Sequence, residues 1–386
     1  MSTLRVNTLQ NTSTTDGGIS IDTSGHVTID GQVLPSAGPL SNRNLIINGA
    51  MQVAQRGAQV TSVTNGGYHT CDRYAFDIAT LGTWTIDKST DSPDGFSNSL
   101  KATCTTADAS PAAGDIMLLY QRIEAQNLQG LAYGSSSAKQ LTLSFWVKSN
   151  KTGSASVGLL QLDNSLKQYS NTYSISSADT WEYKTISIPA DTAGVINNDN
   201  GAGLQVGWWL NSGSTYMGGS TQTTWGTLNN ANRNSSNLGV GGATSDYFQI
   251  TGVQLEVGSV ATPFEHRSYG DELARCQRYY WNLLLERAET NFYIGNATQF
   301  SSTSCLMVLH PPVTMRTAPS FDVSDGTGHF SKLAAGSTTA FNTFTLSAII
   351  SAASVTAIAT VSGTAGHAAV LRVSDDNSKF AFSAEL

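Results

Sequence analysis

At 386 residues and 40.8 kDa the chain has room for two or three domains. Only 13% of its residues are charged, and a net charge of −7 leaves no surplus of Lys and Arg to meet the phosphates of DNA or RNA. Small polar residues and 36 glycines stand where Glu, Lys and Arg would be in a helical protein, and with 40% hydrophobic residues the chain is not of the disordered class. The opening residues MSTLRVNTLQ lack the apolar core of a secretory signal. The uncharged stretch 333–371 is laced with Ser, Thr and Gly and holds no apolar run of about 20 residues, so no membrane insertion is expected. Cys71, Cys104, Cys276 and Cys305 show no CxxC spacing and the histidines are scattered, which predicts free buried thiols, a reducing cytoplasm as the place of synthesis, and no zinc site.

Taken in chain order, residues 1–40 carry two short alternating runs, 19–21 and 27–29, around Asp22-Thr23-Ser24-Gly25, which predicts a hairpin. So thin a segment cannot build a core alone, and it reads either as a tail or as an assembly arm. Residues 41–268 form a train of strand signals. The clearest are 44–48 (NLIIN), 73–78 (RYAFDI), 115–123 (DIMLLYQRI), 141–148 (LTLSFWVK), 181–188 (WEYKTISI), 204–210 (LQVGWWL) and 247–257 (YFQITGVQLEV). Turn-forming clusters separate them with no long helical period, the pattern of an antiparallel, jelly-roll-like β-sandwich. Residues 211–244 read as a long loop carrying Tyr216 and Trp225.

From 269 to 386 a short helix over 271–277, acidic first and basic last, leads into residues 278–285. Strand signals follow at 305–309, 341–350, 355–361 and 367–374, a smaller β-sandwich whose neutral Ala/Ser/Thr alternation is expected to need a partner surface. The whole is therefore expected to be all-β: a thin arm, a jelly roll, a short helix and a C-terminal β-domain.

The segments 44–52 (NLIINGAMQ), Asp72-Arg73-Tyr74, 141–149 (LTLSFWVKS) and 181–189 (WEYKTISIP) resemble strands of carbohydrate-binding-module jelly rolls. The run 247–281 resembles the junction of bacteriophage tail-fibre and tail-appendage proteins. Residues 311–321 (PPVTMRTAPSF) and the terminal Ala384-Glu385-Leu386 are similar to their C-terminal domains. The resemblance implies a virion tail protein, a homotrimer, that grips other phage tail proteins through residues 1–40 and adsorbs to host surface polysaccharide. The structural calcium of many glycan-binding jelly rolls would fall at Gln52 and Thr251, where the expected carboxylates are missing, so no metal and no cofactor is expected.

Alternation along two strands selects the candidate site. In 141–148 the apolar face is Leu141, Leu143, Phe145 and Val147, which leaves Trp146 on the polar face. In 204–211 the apolar face is Leu204, Val206, Trp208 and Leu210, which leaves Trp209 opposite. Sugar rings stack on such aromatics, and Tyr216 and Trp225 of the long loop would complete one surface; the competing reading buries these rings under loops or against a neighbouring subunit. Glycoside hydrolysis needs two paired carboxylates, and Asp163, Glu182, Asp191, Asp199 and Asp246 fall in no motif that would pair them. No catalytic residue is expected. A tail-associated depolymerase and a free-standing carbohydrate-binding module are the alternatives. Arg275 and Arg278 with Glu286 and Arg287 read either as inter-subunit ion pairs or as a solvated helix face, His266 as a surface or packing residue, and Arg316 as a packing and hydrogen-bonding residue.

Overall fold

The computed structural model describes residues 8–9, 18–30, 32–163, 166–284, 291–326, 328–347, 351–375 and 378–386. The chain divides into two compact units, Met1–Arg267 and Ser268–Leu386. Both are built from antiparallel strands, as the composition led us to expect. No helix among the described residues is long and apolar enough to cross a membrane.

The first unit is a jelly-roll sandwich of two sheets. Sheet I runs in spatial order Glu182–Ile188, Leu141–Ser149, Tyr247–Val257, Ser99–Thr106, Thr83–Ser89 and Gln59–Val63. Sheet II runs Gly226–Thr227, Lys167–Ile175, Gly153–Gln161, Ala202–Ser212, Ile116–Glu124, Ala75–Ala79 and Gly67–Tyr68. Their inner faces follow the alternation: Leu141, Leu143, Phe145 and Val147 meet Leu204, Val206, Trp208 and Leu210 in one buried core. Phe145 packs edge-on against Trp208 at 5.7 Å and Tyr173 at 5.1 Å, joining the two sheets.

Residues 44–48 are not the expected strand. Asn44 Oδ1 accepts the Ile46 and Leu255 amides, and Asn48 Oδ1 accepts the Val53 amide, so side chains take the bonds a ladder would use. Asn48 and Met51 have φ of 59° and 55°, which turns the chain instead of extending it. The arm is a small four-stranded sheet, Thr8–Leu9, Ile19–Ile21, Val27–Ile29 and Gln32–Val33, which includes the expected hairpin.

In the second unit the helix Tyr269–Gln277 is capped by Ser268, whose hydroxyl accepts the Asp271 amide. Glu286 and Arg287 lie outside the described residues. A seven-stranded and a three-stranded sheet enclose a cluster of phenylalanines, with Phe344 4.9 Å from Phe330 and 4.8 Å from Phe380. Val355, Ala357 and Ala359 are buried in that cluster, so the neutral alternation finds its core within its own chain. The expectation that those strands need a partner is corrected on this point: small residues on one strand are matched by large rings on others.

Arg316 closes this unit. Its Nε donates to the Ala384 carbonyl at 2.7 Å and its Nη2 to the Glu385 carbonyl at 2.9 Å. Replacing Arg316 with alanine is expected to cost about 1.5–3 kcal/mol, since two charged hydrogen bonds to a partly buried backbone are lost. Urea unfolding of the full chain checks this, and an unchanged midpoint would contradict it.

All four cysteines are free and buried. Burial, with the charge of Asp72 beside it, pushes the Cys71 thiol up to about 12, so it packs as a small apolar group.

Candidate glycan-binding groove

The four aromatics selected from the sequence do not share a surface. Trp146 lies on the outer face of sheet I and Trp209 on the outer face of sheet II, with the core between them. Trp209 is only 2% exposed. The long loop covers it: the Arg233 guanidinium sits 4.9 Å above its ring and Tyr216 packs 5.3 Å away. The space left there, about 10 Å³, holds no more than a water. Trp209 is thus buried beneath a partly buried Tyr216, and the two do not form the expected open platform. Trp225 donates its Nε1 to the Pro189 carbonyl at 2.8 Å and packs 5.9 Å from both Tyr133 and Tyr169, which ties the loop to the sandwich.

Trp146 is the member that lines open space. It is half-buried, and its direct cross-strand neighbour Tyr183 lies 5.3 Å away and is 45% exposed. On the other side the register against Tyr247–Val257 slips between Ser144 and Trp146, leaving a bulge at Gly252. Gly252 has φ +61°, and a Cβ there would fall 2.7 Å from Phe96 and 2.9 Å from Trp146. A bare backbone at this position lets the two rings close over the strand. Phe96 continues the aromatic surface to Phe264 at 5.0 Å and His266 at 5.4 Å.

The groove along these rings has a volume of about 480 Å³. Its polar groups are Asp94, Ser144, Thr262, Gln32, the Tyr183 hydroxyl and the His266 imidazole, and among the described residues its lining includes no lysine or arginine. Partial burial raises the Tyr183 phenol above its ordinary value against a hydrogen bond with Ser144, which keeps a neutral hydroxyl at the rim. Two residues along the strand from Trp146 and on the same face, Lys148 is held by Asp91 at 2.8 Å. Burial pushes the Asp91 carboxyl up, but Lys148 and the Trp181 indole outweigh it and hold it below the usual carboxylate range.

Tyr183 was legible in principle, since alternation along 181–188 places it opposite Ile186 and Ile188. Phe96, Phe264 and His266 come from separate loops, and no local pattern marks them. The five carboxylates weighed from the sequence anchor loops. Asp191 holds Lys167 and Gln161, Asp246 the amides of Gly241 and Ala243, Asp163 Asn197, Asp199 the Gly201 amide, and Glu182 the amides of Ser176 and Ser177. At the two positions considered for calcium, Thr251 donates to the Asn98 carbonyl and the Gln52 carbonyl accepts from Lys88. Among the described residues no three His, Cys, Asp or Glu side chains cluster as metal ligands do.

No protein-family model and no curated protein matches the chain. Among solved structures it is similar to the enzymatically active domain of tailspike protein 4 from bacteriophage CBA120, at 14% identity and a TM-score of 0.31, over 55% of this chain. The match spans only 21% of that protein's chain. A putative sugar binding protein from Bacteroides thetaiotaomicron is similar at 13% identity and TM-score 0.31, over 56% of this chain and all of the other. A family 11 carbohydrate-binding module from Clostridium thermocellum is similar at 9% identity and TM-score 0.26, over 53% and 98% of the two chains. Likenesses at this level assign no function to the chain.

Proposed function

We propose that the chain is a bacteriophage tail fibre that adsorbs to host surface glycans through the Trp146 groove, as a homotrimer joined to the tail by residues 1–40. One observation carries the adsorption role: the aromatic surface from Tyr183 through Trp146 to Phe96 and Phe264, open to solvent and set among groups that bond hydroxyls. A pyranose presents an apolar C–H face and a rim of hydroxyls, and this surface answers both. Assembly is supported by the arm, where Leu9, Ile19 and Ile29 are direct cross-strand partners on one side with Ile21, all substantially exposed. An apolar face on so small a sheet is one that assembly would cover. Three weak sites on each fibre, and several fibres on each particle, turn later contacts into intramolecular ones. The protein would be made in the host cytoplasm and reside in the virion tail.

Replacing Trp146 with alanine is the test. Adsorption of the purified protein to a susceptible strain is expected to fall more than tenfold, with a smaller loss of stability than a fully buried tryptophan would show. Trp209→Ala is expected to show the reverse, costing about 3–5 kcal/mol of stability as a buried aromatic while the folded fraction still adsorbs. Full adsorption by Trp146→Ala would overturn the assignment of the groove.

A further inference from the structure

The groove is not made by the sandwich alone. Gln32 and Val33, the last strand of the amino-terminal arm, form part of its lining together with Asp94 and Trp146. That segment is docked on the sandwich at successive points. His26 Nε2 bonds the Ser259 hydroxyl at 3.0 Å, and the Ser259 amide donates to the Ser36 hydroxyl at 2.9 Å. Gly38, at φ +81°, lies so near Val257 that a Cβ would approach it to 3.0 Å. Arg43 then donates to Thr262 Oγ1 at 2.8 Å and to the Pro263 carbonyl at 2.6 Å. Thr262 and Pro263 are themselves groove residues, so the arm is stitched along the rim that carries Phe264.

We infer that the amino-terminal arm is a working wall of the glycan site, that Gln32 bonds the ligand, and that the ligand is an uncharged polysaccharide. This rests on the reading of the groove as a glycan site. Gln32 is exposed, and its side-chain amide has no hydrogen-bond partner among the described residues. The Asp94 carboxylate is likewise exposed and unpaired among them. An amide offering both donors and an acceptor, and a carboxylate offering acceptors, match the vicinal hydroxyls of a neutral sugar. An anionic polysaccharide would meet the Asp94 charge, and the lining offers no lysine or arginine against it: His266 is its one basic side chain, and Arg43 behind the rim faces Glu256 and Glu265. The arm therefore supplies ligand contacts as well as attachment.

The experiment uses the full chain and the polysaccharide of a strain to which it adsorbs, split by anion exchange into neutral and acidic fractions. Wild-type protein is expected to bind the neutral fraction, and Gln32→Ala to bind it about threefold to tenfold more weakly, the range of one or two uncharged hydrogen bonds. Its unfolding midpoint should match wild type, since the side chain is exposed. Binding of Gln32→Ala equal to wild type, with Trp146→Ala impaired, would overturn the role of the arm and leave the groove standing. If Trp146→Ala also bound normally, the glycan reading of the groove would fall first. Binding confined to the acidic fraction would overturn the ligand class.

Discussion

Asp72→Ala is expected to destabilise the first unit by about 3–5 kcal/mol, a large part of the roughly 5–15 kcal/mol that ordinarily separates folded from unfolded domains. The carboxylate is fully buried and accepts the Gln55 backbone amide at 2.9 Å, with the Gln55 side chain and Arg56 also turned to it. The Asp72 backbone is held as tightly: its amide donates to the Val53 carbonyl at 3.0 Å, and its own carbonyl accepts Asn48 Nδ2 at 3.0 Å. Removing the side chain strands a buried amide and leaves the Arg56 charge, itself largely buried, without this partner. Asp72→Asn keeps one acceptor oxygen and should cost less. Asp77→Ala, on an exposed side chain of the neighbouring strand, should stay within about 0.5 kcal/mol. Urea unfolding of the three variants orders them, and an Asp72→Ala midpoint near wild type would show that the clamp is not a main support of the sandwich.

Gly252→Ala is expected to remove glycan adsorption and to lower stability together. At φ +61° an alanine costs about 1–2 kcal/mol in backbone energy. Its methyl would also stand 2.7 Å from Phe96 and 2.9 Å from Trp146, so the rings must part, and such overpacking commonly costs about 1–3 kcal/mol. Gly239→Ala separates the two effects. Gly239 has a similar φ of +69°, and nothing lies within 4 Å of the place its methyl would take, so it should show the backbone cost alone and adsorb normally. Equal behaviour of the two variants in adsorption would mean that the closeness of Phe96 to Trp146 plays no part in binding.

Much of the sandwich was legible because alternation reports which side of a strand faces a core. It placed Phe145 and Trp208 inside and Trp146 and Trp209 outside, where the structure has them. It says nothing about which sheet a strand joins or what later covers its outer face. Trp209 is covered by Arg233, 24 residues further along a loop whose Asn, Ser and Gly gave no sign of packing back. The strands Gly153–Gln161 and Lys167–Ile175 were missed because Gly, Ser and Asn argue for turns. Val157, Leu159, Tyr169 and Tyr173 nonetheless bury one face of each, and tertiary packing overrides the local preference. NLIIN failed in the other direction, an apolar run whose two asparagines turn the chain with their own side chains. Half of the groove was out of reach for a related reason: Phe96 and Phe264 meet only after two loops are set by the fold.

The most direct measurement is a crystal structure of the full chain soaked with oligosaccharide from the surface polysaccharide of a strain it adsorbs to. The account predicts a sugar ring stacked on Trp146 beside Tyr183, with hydroxyls in reach of Asp94 and Gln32. A ligand on the outer face of sheet II or on the second unit, with the Trp146 groove empty, would contradict it.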